Sequence, residues 1–116
     1  MAAPNLVNVT TITGKTSVQA IGTSATAIVS NAASSNQVFK INSLYISSVA
    51  ASNVTVTVDL FRSSTAYKIT FGLIVPPGAT VDVFTTSIYL EEGDSLRLTA
   101  SVGSSLEGVC SYEVIS

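Results

Sequence analysis

Apolar and polar residues alternate with a period of two along much of the chain. From Asn53 to Leu60, the residues Val54, Val56, Val58 and Leu60 fall on one face and Thr55, Thr57 and Asp59 on the other. This is the pattern of a half-buried strand. Tyr67, Ile69, Phe71, Leu73 and Val75 line one face of a second predicted strand, with Lys68 and Thr70 opposite. Val81 and Val83 begin a third, and Ile88 and Leu90 resume the pattern after Thr85-Thr86-Ser87. The polar interruption predicts a bend or bulge that re-aims side chains without ending the strand. Upstream, Leu6 to Thr13, Val18 to Ile21 and Ala25 to Val29 are β-prone segments divided by Gly14, Gly22 and Ser/Thr residues, and the small-polar loop Asn31 to Asn36 precedes a long strand from Val38 to Val49. Ser17 to Ala33 carries some apolar residues at helical spacing, but Thr23, Ser24, Thr26, Ile28 and Val29 weaken a helix, so the segment is read as extended.

Turn chemistry punctuates these strands. Pro76-Pro77-Gly78-Ala79 has Pro at the second and Gly at the third turn position, as a type II turn requires, and the strands through Val75 and from Thr80 are expected to reverse on each other. Glu91-Glu92-Gly93-Asp94 reads as another tight hairpin, with Gly93 taking positive φ. Val102-Gly103-Ser104-Ser105-Leu106 leads into a last strand around Val109 to Ile115. About eight short strands, with turn signals roughly every ten residues, predict an all-β antiparallel sandwich of jelly-roll type. At 116 residues the chain fits a single domain, 1–116.

Composition strengthens that picture. Val, Ile and Thr supply 38 of the 116 residues, and their crowded χ1 favours a pleated surface over a helix. The chain is 47% apolar and only 10% charged, which excludes the signature of disorder. Met1-Ala2-Ala3-Pro4-Asn5 lacks the basic and apolar regions of a secretory signal, and the longest apolar stretches, such as Phe71 to Pro77, are too short to cross a bilayer, so neither export by that route nor a membrane span is expected. The single Cys110 has no partner for an internal disulfide and is expected to act as a small core hydrophobe.

Charge bears on partners. A net charge of −2 supplies no basic field for phosphates, so nucleic acid is not an expected partner. Residues 1 to 58 hold Lys15 and Lys40 and no acid, whereas residues 59 to 116 hold three cations against seven acids. Two readings follow for this asymmetry: Glu91, Glu92 and Asp94 of one copy meeting Lys15 and Lys40 of another, or ordinary solvated turns. With 18 Ser and 14 Thr, most of the polar surface cannot use charge repulsion against association. Strand edges of that kind are tolerated when a neighbour covers them, which predicts a homo-oligomer or a place in a larger assembly.

Candidate chemistry is sparse. Without His, neither Ser/His/Asp nor Cys/His catalysis can be built. A Ser-Lys pair would have to use Lys15, Lys40 or Lys68, all in strand-like contexts, and Glu91, Glu92 and Asp94 share one turn, where two carboxylates cannot flank a glycosidic bond. The expectation is therefore no enzymatic activity and no cofactor. Glu92-Gly93-Asp94 offers hard oxygens for Ca²⁺ but lacks EF-hand spacing, so an acidic turn is the simpler reading. The sequons Asn8-Val9-Thr10 and Asn53-Val54-Thr55 are expected by chance in a chain rich in Asn and Thr. The eight aromatics Phe39, Tyr45, Phe61, Phe71, Tyr67, Phe84, Tyr89 and Tyr112 are expected to fill the core, a carbohydrate-stacking platform being the alternative.

The run from Ser87 to Ser101, Ser87-Ile88-Tyr89-Leu90-Glu91-Glu92-Gly93-Asp94-Ser95-Leu96-Arg97-Leu98-Thr99-Ala100-Ser101, and the close Cys110-Ser111-Tyr112-Glu113-Val114-Ile115-Ser116 resemble small virion structural proteins of tailed bacteriophages, especially cyanophages. Asn5 to Thr16 and Val54 to Tyr67 resemble the same group, and the Leu-acid-acid-Gly-Asp turn also resembles trimeric jelly rolls of the C1q and tumour-necrosis-factor type. The resemblance implies a non-enzymatic sandwich in many copies on a virion, assembled in the host cytoplasm. Its first implied role is capsid decoration, cementing the major capsid protein as a homo-oligomer, with a trimer favoured. A neck, tail or fibre component comes next, and then a glycan-binding attachment module.

Overall fold

A computed structural model describes residues 9–116. Among these residues there are nine strands and no helix: β1 (Ile12–Ile21), β2 (Thr26–Ser30), β3 (Val38–Ser48), β4 (Val54–Arg62), β5 (Thr65–Val75), β6 (Thr80–Asp82), β7 (Ile88–Leu90), β8 (Ser95–Ala100) and β9 (Leu106–Ile115). They form two antiparallel sheets, one ordered β1-β9-β3-β6 with β7 also on β3, the other β2-β8-β4-β5. Each sheet has four strand positions, β6 and β7 sharing one edge position along β3. This is the strand order of a jelly roll, as the spacing of turns predicts.

The inner faces supply the core. Ile21, Ile41, Leu44, Ile46, Leu90 and Leu106 of one sheet meet Val56, Val58, Leu96 and Leu98 of the other, each less than 2% exposed. Side chains of the facing sheet crowd Gly108, where an added Cβ would stand 2.9 Å from Leu98 Cδ1. Cys110 lies fully buried in this core, as expected of a small hydrophobe.

Both anticipated turns form, but they join different partners from those expected. Gly78 has φ +73° and Ala79 N–H donates to Pro76 O at 3.1 Å, the bond of the Pro76-Pro77-Gly78 turn. Gly93 has φ +88° and Asp94 N–H donates to Glu91 O at 3.0 Å. Neither closes a hairpin. The first carries the chain from β5 to β6 and the second from β7 to β8, in each case from one sheet to the other. Among the described strands, only β4 and β5 are consecutive and paired, through a Ser63-Ser64 turn with φ of 51° and 61°. Positive φ at both central residues gives the type I′ geometry whose twist matches that of the flanking strands.

Three further expectations need correction. Gly14 does not divide the first β-prone segments, because β1 runs unbroken through it along β9; the part of Leu6 to Thr13 before residue 9 lies outside the described residues. After the Val83 N–H, which donates to Leu44 O at 2.9 Å, pairing stops until Ile88, so Thr85-Thr86-Ser87 ends the strand instead of bending it. The partner strand explains this gap, since β3 bulges between Ile41 and Ser43 and its two halves take β7 and β6 separately. In β5, Tyr67, Ile69 and Phe71 are exposed, and only Leu73 and Val75 of that expected face reach the core. Two register shifts against β4, at Val56/Val58 and Val58/Asp59, put extra residues into β5 and break its alternation.

Candidate functional site

The acidic turn is tied into its own fold chiefly through Asp94. Asp94 is 1% exposed; its Oδ1 accepts from Arg62 Nε at 2.8 Å, and its Oδ2 accepts from Arg62 Nη2 and from Glu91 N–H. Burial opposes the charge on Asp94, but the Arg62 hydrogen bonds, the Glu91 N–H and the nearby guanidinium outweigh it and hold the carboxyl below its ordinary value. Hydrogen bonding to Asp94 in turn pushes the Arg62 pKa up. Glu91 Oε2 lies 3.2 Å from Arg62 Nη2, and Glu92 Oε2 accepts from Asn36 N–H at 2.8 Å. Buried Asn31 completes the cluster, donating from Nδ2 to Gln37 O and Leu90 O and accepting from Ser35 Oγ. The turn is thus an internal clamp between the β2–β3 loop, β4 and β8. Asp94 is buried and committed to this clamp, whereas Glu91 stays exposed beside Arg62 and Glu92 is half-buried.

The two lysines stand elsewhere. Lys15 is exposed on β1 opposite Tyr112, and Lys40 is half-buried on β3 opposite Glu113 and Tyr89. No ion pair joins either to the acidic turn among the described residues. A second buried acid escaped the sequence reading: Asp59, 1% exposed, pairs with Arg97 at 2.9 Å, and that guanidinium covers the Phe61 ring at 4.1 Å. The sequence showed only that Asp59 lies on the polar face of its strand; the pairing that sets it opposite Arg97 comes from the fold.

The exposed surface departs most from expectation in its aromatics. Only Phe39 and Phe84 are buried, while Tyr45, Tyr67, Phe71 and Tyr89 are exposed, so core filling accounts for a minority of the eight. On the outer face of the first sheet, Val18, Val109 and Tyr45 stand in register across β1, β9 and β3, at 72%, 37% and 45% exposure. The flanking rows are Thr16, Ser111 and Ser43 on one side and Ala20, Glu107 and Ser47 on the other. A shallow depression of about 300 Å³ lies beside Val18 and Val109. On the other sheet, the free edge strand β5 exposes Phe71 at 78% and Ile74 at 56%. The chain therefore carries two separate apolar surfaces on opposite sheets. Val18 and Val109 could have been found in the sequence as apolar residues out of phase with the inward positions of their strands.

A groove of about 390 Å³ opens where β5 faces β7 and the segment Val83 to Ser87. Leu60, Phe84 and Ile88 form its apolar floor, and Tyr67, Lys68, Thr85, Thr86 and Tyr89 line it as well.

No protein-family description matches this chain, and no curated protein matches it. Among solved structures it is similar to a subunit described under "Bacillus endospore appendages form a novel family of disulfide-linked pili", with a TM-score of 0.55 and 13% identity, over 99% of this chain and 95% of that one. At that identity the likeness is one of fold. Cys110, this chain's single cysteine, is wholly buried on β9, and burial pushes its pKa up to about 12.

Proposed function

We propose that this chain is a non-enzymatic structural subunit that works by assembly, as a capsid decoration protein of a tailed bacteriophage that cements the head through contacts with its own copies and the major capsid protein. The observation that carries the reading is the in-register row Val18, Val109 and Tyr45 on the outer face of the first sheet. Exposed apolar side chains flanked mostly by Ser, Thr and Ala, with acids only at Glu107 and Asp82, suit contact with a second surface. The second apolar surface, on β5, lets one copy make two unlike contacts. A subunit within a shell or a ring needs such a pair. The likeness of residues 87–101 and 110–116 to small virion proteins supports the phage setting, and the jelly-roll analogy supports a trimer.

One finding favours a second reading, an appendage or fibre subunit. The similar solved structure belongs to a pilus, and two surfaces on opposite sheets also suit an open polymer. Buried Cys110 places any such polymer of this chain under non-covalent contacts, unlike the disulfide-linked pili. Adding purified protein back to phage heads that lack it tests the decoration reading. Saturable co-sedimentation with heads is expected, with label on the head surface of intact particles. Label on tails, or on filaments of the protein alone, would overturn it in favour of the second reading.

A further inference from the structure

We propose that the groove between β5 and the Val83 to Ser87 segment binds an acidic saccharide, a uronic or sialic acid residue. The floor of Leu60, Phe84 and Ile88 is apolar, and two tyrosines stand on opposite walls, Tyr67 on β5 at 57% exposure and Tyr89 on β7 at 42%. Exposed tyrosine rings present an apolar face and a polar tip, the form that packs against the C–H face of a pyranose while a hydroxyl is bonded at its edge. Thr85 and Thr86 add side-chain hydroxyls on a stretch outside both sheets, beyond the Val83 N–H that donates to Leu44 O and the Phe84 N–H that donates to Asp82 Oδ1.

The charge at the groove is one-signed. Lys68 lines it, no acid does, and Lys68 makes no ion pair among the described residues. Its cross-strand neighbour Asp59 is held by Arg97 on the other side. A lone cation beside aromatic and hydroxyl groups selects a ligand with one carboxylate, several hydroxyls and an apolar ring face. An extended peptide is the poorer fit, because the register shifts opposite Val58 interrupt the regular run of β5 that an added strand would need. The volume, about 390 Å³, is at the small end for ligand pockets and suits one or two sugar rings. The groove lies at the β5/β7 edge, off the Val18, Val109 and Tyr45 face, so saccharide binding is separable from assembly through that face, though it shares β5 with the second apolar surface.

Titration of the ¹⁵N-labelled protein with sialyllactose and with digalacturonate, against lactose and cellobiose, tests the site. Shifts confined to β5, β7 and residues 83–87 are expected, with a Kd on the order of 1 mM or tighter for the acidic sugars. Tyr67→Ala and Tyr89→Ala should each weaken that binding about tenfold, Tyr67→Phe should retain most of it, and Lys68→Gln should remove the preference for acidic over neutral sugars. Because the readout is residue by residue, each variant's spectrum also reports its fold, and the oligomeric state is measured in parallel. Absence of shifts with both acidic sugars at roughly tenfold above that Kd overturns the proposal. So does equal binding of neutral sugars, unchanged binding in both alanine variants, or tighter binding of an acidic peptide at the same residues.

Discussion

Gly78 holds φ of +73° with nothing within 4 Å of the place a Cβ would occupy, so substitution there is strained by backbone conformation and not by crowding. Gly78→Ala should cost about 1 kcal/mol and Gly78→Val about 2 kcal/mol, since a β-branched residue fits the left-handed region worst. Urea unfolding midpoints measure both, and equal stability of the valine variant would mean that the turn relaxes. Asp94 gives a pH signature. Its folded pKa lies below the ordinary aspartate value, so the stability it adds is fully present above about pH 4 and drains away as pH falls through the folded value. Asp94→Asn should lower stability at neutral pH by about 2 kcal/mol, the scale of a charged hydrogen bond lost from a buried group. It should also flatten the acid limb of the stability curve. An unchanged acid limb would assign the pH dependence to other carboxylates. Gly78 and Gly93 were legible from their turn sequences, whereas the role of Asp94 was not. Its partner Arg62 is 32 residues away, and only the jelly-roll crossing brings them together.

At the scale of elements, local pattern fixes strand existence better than strand pairing. Val54 to Leu60 alternates as read because its neighbours β8 and β5 hold it in the middle of a sheet. Tyr67 to Val75 alternates equally well in the sequence, yet two register shifts turn half of it outward. An edge strand is bonded on one side only, so it accommodates extra residues that a central strand would not. The turns were likewise legible as reversals but not as sheet crossings, because Pro76-Pro77-Gly78 and Glu91 to Asp94 satisfy the same local geometry in either setting. The one true hairpin among the described strands had no Asn-Gly signal, being closed by Ser63 and Ser64 in positive φ. Serine is a poor occupant of that region, so the double substitution Ser63→Asn with Ser64→Gly should stabilise the protein by about 1 kcal/mol. Thermal unfolding by circular dichroism checks this. A lower midpoint in the variant would show that the serines make contacts worth more than their backbone strain.

For the whole molecule, the sparse charge visible in the sequence leaves apolar groups on the surface, and folding decides where they lie. The Val18, Val109 and Tyr45 row exists only because β1 and β3 pair on either side of β9 in the register that aligns them. The row lies apart from the acidic turn, where Asp94 and Glu92 hold β4, β8 and the β2–β3 loop together. A stable contact through the row should bury more than about 1,000 Å² in total. Val109→Lys sets a charge at the centre of the row, on an outward-facing position where the monomer tolerates it. Light scattering on the purified wild type and on Val109→Lys, with matched circular dichroism spectra, is therefore the most direct measurement. The wild type is expected as a closed oligomer, with a trimer mass favoured, and the lysine variant as a monomer. A monomeric wild type, or a variant that keeps the full oligomeric mass, would contradict assembly through this face.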